Sequence, residues 1–268
     1  MPWGFSEINL FSLPNLDTYI NIEKMVDMKF SWEYDYLEKD SKQNVIKVIE
    51  KKRYPHMETE QTIFYNSQGL PEKNEGYYHD YFDDIYKYDE KGRLLSYTEV
   101  FQYKYIDDFQ REEYCRGKLK STEILDFQKD KIIITIKSHW TNREGIAEER
   151  ITRIYEYNFE NGCLTDVCST SFKPNGTEDK GYLKLFYDEE KIIKIQEYYG
   201  DGGIRLNEYL LEYQNGKLVK CFFNDHLGPI TIYEYSNFDK YGNFQNRVSI
   251  HTATGEENYS CSRIIEYK

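Results

Sequence analysis

Between Glu75 and Tyr114 the chain carries eleven Asp and Glu against five Lys and Arg, which is half of its whole net charge of −12. The densest parts are the runs HDYFDD at 79–84 and YIDDFQREEY at 105–114. They make Asp83, Asp84, Asp107, Asp108, Glu112 and Glu113 the candidate site residues. Carboxylates set among aromatic rings suit docking of a cationic partner, with the rings as anchors and the charges steering the encounter. Calcium also prefers carboxylate oxygens, but no ordered DxDxDG loop is present. A pair of carboxylates is the minimum for a glycosidase, a requirement any acidic β protein meets. The plainer reading is a solvated face with ordinary charges.

Other chemistry is sparse. There is no P-loop, dinucleotide fingerprint, HExxH or GxSxG sequence. His56, His79, His139, His226 and His251 lie far apart, without metal-ligand spacing. His139 beside Trp140 reads as a surface pair on a strand. Five cysteines, an odd number in a long chain, argue against a disulfide framework. The C-x4-C spacing of Cys163 and Cys168 has no second pair to complete a zinc site. The expectation is therefore no enzyme, no metal and no cofactor. Trp32 and Trp140 are candidates for stacking on sugars, with a core role as the simpler account.

The elements that must position these residues are short strands. Aromatic residues make up 17% of the chain, with 27 Tyr and 15 Phe; such residues favour half-buried pleated surfaces. The segments YNSQGLPEK, YDEKGRLLS, YNFENGCLT, YDEEKIIKI, YQNGKLVKC and FDKYGNFQN each set an aromatic residue before a polar turn and an apolar residue after it. From Gly117 onward, turn centres fall near 117, 130, 145, 162, 176, 190, 203, 216, 228, 242 and 255. A turn about every 13 residues describes a meander of hairpins with strands of about nine. Before Gly117 the turns are looser, near EKDSKQN, NSQG, DEKG and IDDF. In ITRIYEYNF, Ile151, Tyr155, Tyr157 and Phe159 share one parity, and Tyr-x-Tyr pairs recur at 86/88, 103/105, 155/157 and 233/235. Residues two apart lie on one face of a strand, so successive hairpins would stack these tyrosines into ladders.

Residues 1–28 carry Pro2 and Pro14 and no repeat, and read as an irregular cap on a single β-repeat domain over 29–268. The expected fold is all-β: an antiparallel meander of about 16 to 18 strands, curled or wrapped because strand twist accumulates. The N-terminus lacks the basic start and long apolar core of a signal peptide, and no stretch approaches the roughly 20 apolar residues of a spanning helix. A cytoplasmic location is the expectation. The acidic balance argues against general nucleic-acid binding, which needs clustered Lys and Arg.

The segment YDEKGRLLS and the stretch from Tyr233 to Gly255 resemble the tyrosine-aspartate (YD) repeats of the RHS family. Tyr88, Asp89, Gly92, Arg93 and Leu94 fit its pattern, as do Asp239, Gly242 and Asn243, with Phe238 in the tyrosine place. Tyr187 and Asp188 fit, but Lys191 replaces the glycine; Tyr213 and Gly216 fit without the aspartate. The resemblance covers most of the chain from about residue 60. It implies a wrapped β-sheet and small bacterial proteins of the kind found in Bacteroidetes, some of which accompany toxins as immunity proteins. The function expected is a non-enzymatic protein-binding protein, a cytoplasmic immunity protein neutralising a bacterial toxin, with a basic toxin domain as partner. The alternative is an envelope-associated glycan-binding or structural repeat protein.

Overall fold

The computed structural model describes residues 44–76, 84–90, 94–97, 100–107, 109–160, 163–188, 191–200 and 203–268. The cap expected over 1–28 lies outside them. The described residues hold eighteen strands. They begin with β1 (Val45–Tyr54), β2 (Met57–Tyr65), β3 (Pro71–Glu75), β4 (Asp84–Tyr88), β5 (Leu94–Tyr97) and β6 (Phe101–Tyr105). There follow β7 (Gln110–Cys115), β8 (Lys118–Gln128), β9 (Lys131–Thr141), β10 (Ala147–Glu160), β11 (Cys163–Phe172) and β12 (Glu178–Asp188). The last six are β13 (Lys191–Tyr199), β14 (Ile204–Gln214), β15 (Lys217–Asp225), β16 (Gly228–Phe238), β17 (Phe244–His251) and β18 (Glu257–Tyr267). Every turn expected from Gly117 onward falls at a junction of two of these strands, with Gly228 itself opening β16. The β1–β2 turn escaped the sequence reading because Pro55 and His56 supply no glycine signal.

The strands form one 18-stranded antiparallel sheet, and here the structure corrects the sequence. A curled or wrapped meander was expected; the meander instead closes into a barrel, because β1 pairs with both β2 and β18. The reason is visible in the repeat. After most even-numbered strands an aromatic residue pairs with an apolar one just past the turn: Tyr88 with Leu94, Phe127 with Ile132, Phe159 with Leu164, Tyr187 with Ile192, Tyr213 with Leu218 and Phe238 with Phe244. The closing joint repeats the pair, since Tyr267 faces Val45. It also repeats the bulge that follows the apolar residue at the Tyr88, Phe159, Tyr187 and Tyr213 joints, with Ile46 as the extra residue. One repeat is thus split between the two ends of the barrel. β18 brings its aromatic half and β1 its apolar half, so closure satisfies two strand edges with the contact used throughout.

The bulges also explain several exposed apolar side chains. Ile46, Leu95 and Ile193 each sit at the extra position, turned out of the buried face. A further bulge at Thr152 changes the expected parity of β10. Ile151 pairs with Lys137 and is exposed, while Arg153 pairs with Ile136 and Tyr155 and Tyr157 are buried.

The turns have a shared chemistry. Those opened by Asn66, Asn142, Lys173 and Asp239 have the same backbone hydrogen bonds, with glycine at positive φ in the fourth position. In three of them the first side chain caps the loop: Asn66, Asn142 and Asp239 each accept two backbone N–H bonds through Oδ1. Asp239, like the two asparagines, thus satisfies the turn backbone.

The described residues fall into two compact units. Tyr86–Lys180 form one; residues up to Ile85, together with Gly181–Lys268, form the other. The first buries Leu94, Leu125, Ile132, Ile134, Tyr155, Tyr157, Phe159, Leu164 and Val167. In the second, Leu183, Leu185, Ile192, Ile195, Leu211 and Cys221 make up an apolar part of the buried face.

Candidate functional site

In the second unit the buried face of β17, β18, β1 and β2 is charged. The registers Glu50–Arg263, Glu50–Gln61 and Lys52–Cys261 place these side chains on one face of adjacent strands, and Arg247 lies opposite Cys261. Glu50 is the hub. Its Oε2 accepts a hydrogen bond from Gln61 Nε2 at 2.7 Å and lies 3.2 Å from Lys52 Nζ; its Oε1 is 3.0 Å from Arg263 Nε. The Arg263–Glu50 pair crosses the joint that closes the barrel. Arg247 donates through Nε to the Tyr259 hydroxyl at 3.1 Å. Both guanidinium groups lie over the Phe244 ring, at 4.5 Å for Arg263 and 6.0 Å for Arg247. Burial pushes the Tyr259, Tyr235 and Cys261 groups above their ordinary pKa values, so they are neutral near pH 7. Alternation alone could not have found this cluster, because it places charges at the parity reserved for apolar residues.

Among its described residues the first unit buries one comparable ion pair. Arg111 donates to Glu123 through two nitrogens, at 2.8 and 2.9 Å, and stacks on the Tyr103 ring. Burial, with Glu113 adding repulsion, pushes the Tyr103 phenol up to about 12.

Of the acidic residues singled out by the sequence, those described lie on β4, in the β6–β7 turn and on β7. Asp83 and Asp108 lie outside the described residues. Asp84 opens β4 opposite Asn74. Asp107 caps its own turn, accepting from Phe109 N at 2.7 Å. Glu112 and Glu113 are neighbours on β7 and so face opposite ways. Glu113 shares the face of buried Arg111, while Glu112 accepts from the Tyr114 hydroxyl at 2.7 Å and lies 3.9 Å from Lys104. Around the β6–β7 turn, Ile106 is 47% and Phe109 53% exposed, and Phe109 meets Phe127 edge to face.

One arrangement went unread in the sequence. Thr122 Oγ1 is 2.8 Å from His139 Nε2, and His139 Nδ1 is 3.7 Å from Glu149 Oε2. The order is that of a nucleophile, base and carboxylate. The geometry does not support it: 3.7 Å exceeds a hydrogen bond, the hydroxyl is buried, and all three residues lie within paired strands, where the ladder engages the backbone N–H groups an oxyanion hole needs. His139 is a half-buried histidine whose side chain links β9 to β8 through Thr122.

The opposite face of the sheet carries paired charges: Lys51 with Glu60, Arg53 with Glu58, Lys47 with Glu266, Lys220 with Glu234, Lys137 with Glu149 and Lys131 with Glu156. Among the described residues no helix is long and apolar enough to cross a membrane. Cys115, Cys168, Cys221 and Cys261 are unbridged.

No protein-family model matches the chain, and no curated protein does. Among solved structures it is similar to a porin-like protein from Bacteroides vulgatus, at 11% identity and a TM-score of 0.39, over 84% of this chain and 98% of that one. It is also similar to TcdB2-TccC3-TEV, at 11% identity and a TM-score of 0.19, over 75% of this chain and 14% of that one.

Proposed function

We propose that the chain is a non-enzymatic, RHS-like β-repeat protein that binds a protein partner, acting in the cytoplasm as an immunity protein that neutralises a bacterial toxin. The observation that carries this reading is the β6–β7 turn, where Ile106 and Phe109 stand about half exposed on either side of Asp107. Apolar anchors around a carboxylate suit a partner whose own surface is basic with an apolar centre. A basic toxin cleft covered in this way is blocked without chemistry. The paired charges on the opposite sheet face support an aqueous setting, since a lipid-facing barrel surface carries an apolar band instead.

The test is binding and protection. The purified chain is mixed with the product of a neighbouring toxin gene, and affinity and residual toxicity are measured. Phe109→Ala is expected to weaken binding about tenfold or more, by removal of an anchor. Asp107→Lys is expected to slow association and flatten its salt dependence. Full toxicity in the presence of a folded, saturating chain would sink the proposal.

A further inference from the structure

We propose that the unburied face of β12–β17 is a dimer interface, on which a second copy of this chain packs about a two-fold axis running between β14 and β15. Register brings one row of side chains together across these six strands. Phe186 pairs with Lys194, Lys194 with Leu210, Leu210 with Phe222, Phe222 with Ile232, and Ile232 with Ile250. Each follows or precedes a buried residue (Leu185, Ile195, Leu211, Cys221, Thr231 and Ser249), so alternation turns all six to the opposite face. Five of the six are apolar. The sixth, Lys194, sets its Nζ 3.8 Å from the centroid of the Phe186 ring. Leu210, in the middle of the row, is 37% exposed, and Phe186, Phe222, Ile232 and Ile250 are half-buried.

The rows on either side are polar. On one side Lys184, Gln196, Glu208 and Asn224 follow one another by register, and Gln196 donates to Glu208 at 2.6 Å. On the other side come Glu212, Lys220 and Glu234, with Lys220 Nζ 2.8 Å from Glu234. Polar rows about 7 Å away on both sides make this apolar row far too low for a bilayer, where the band of a membrane barrel stands about 25 Å tall. An apolar centre with a polar rim is instead the anatomy of a protein interface.

Two features favour a second copy as the occupant. The first is area. Six strands spaced about 4.8 Å apart and three rows about 7 Å apart give roughly 600 Å² on each copy, about 1,200 Å² in all, which is where stable specific interfaces begin. The second is charge. A two-fold axis along the strands, between β14 and β15, lays Leu210 of one copy on Phe222 of the other. It also sets Glu212 of each copy opposite Lys220 of the other, so opposite charges meet twice next to the apolar centre. The surface shares no residue with the β6–β7 turn, and its failure would leave the toxin-binding reading untouched.

The experiment is sedimentation of the full chain at pH 7, from about 1 to 100 μM, with folding of each variant checked by circular dichroism. The native chain is expected to pass from monomer to dimer over this range. Leu210→Arg sets like charges near the axis and is expected to weaken the dimer at least a hundredfold. Should that variant not fold, Leu210→Thr keeps a strand-forming residue and is expected to weaken it about tenfold. Glu212→Lys and Lys220→Glu are each expected to sediment as monomers, while an equal mixture of the two restores dimers, because each copy then meets its opposite charge in the other. A damaged fold could not be repaired by mixing. The proposal is overturned by a native chain that stays monomeric at 100 μM, which would assign the row to other residues of the chain or to a different partner. It is equally overturned by a dimer that survives the Leu210 substitution, or by a mixture that associates no better than its components.

Discussion

Glu50 is the hub of the charged contacts at the closing joint. It receives Gln61, Lys52 and Arg263 in a place that is 4% exposed. Removing one member of such a group leaves buried charges without their partner, which costs about 3–5 kcal/mol. Glu50→Gln is therefore expected to lower the unfolding free energy by about that much in urea titrations. Lys51→Ala, one position along on the opposite face, removes only the exposed pair with Glu60 and should leave the midpoint unchanged. Equal effects of the two substitutions would show that Glu50 has no special place. The candidate acids show the other side of residue-scale reasoning. Their identities were readable, but the pairing of Glu112 with the exposed face and Glu113 with the buried one follows from strand alternation once β7 is located.

At the scale of the element, the hairpins were the most legible part of the chain. Asx-type residues and glycines mark the turns opened by Asn66, Asn142 and Asp239, because the loop there takes a side-chain acceptor at its start and a positive φ near its end. Gly145 shows the second requirement in isolation: its φ is 81°, and nothing lies within 4 Å of where a Cβ would stand. Gly145→Ala is thus expected to cost about 1 kcal/mol from backbone strain alone, read as a lower urea midpoint with an unchanged slope. A loss several times larger would mean that the turn is coupled to more than its own geometry. Bulges were not legible. The residue at Ile46, Ile193 or Thr152 is ordinary, and its displacement arises from how two strands match, which parity along one strand does not encode.

At the scale of the whole molecule, the tyrosines give the barrel a direction of pH sensitivity. Burial raises the Tyr103 phenol to about 12 and pushes Tyr157, Tyr209, Tyr235 and Tyr259 upward. The folded state therefore holds these protons more tightly than the unfolded chain, whose tyrosines ionise near pH 10. The stability this contributes is fully present below about pH 10 and is lost as the pH rises from there toward the folded values. In an alkaline titration, ultraviolet absorbance should show a first group of exposed tyrosines ionising near pH 10. The remainder should ionise only with cooperative unfolding. A single smooth titration of every tyrosine near 10, with the fold intact, would contradict the burial.

What the sequence determined by itself was the strand class, the turn positions from Gly117 onward and the aromatic repeat, because each depends on residues close together in the chain. Closure and the charged face were decided only by the tertiary structure. Val45 and Tyr267 stand at opposite ends of the described chain, and neither announces that it is half of one repeat. Their pairing joins the two ends of the sheet, a contact that no local pattern in either segment encodes. Glu50 is nearly as distant in sequence from Arg247 and Arg263. Their burial is possible because the closed ladder brings opposite charges to adjacent strands, where pairing offsets the loss of water that each would otherwise suffer alone.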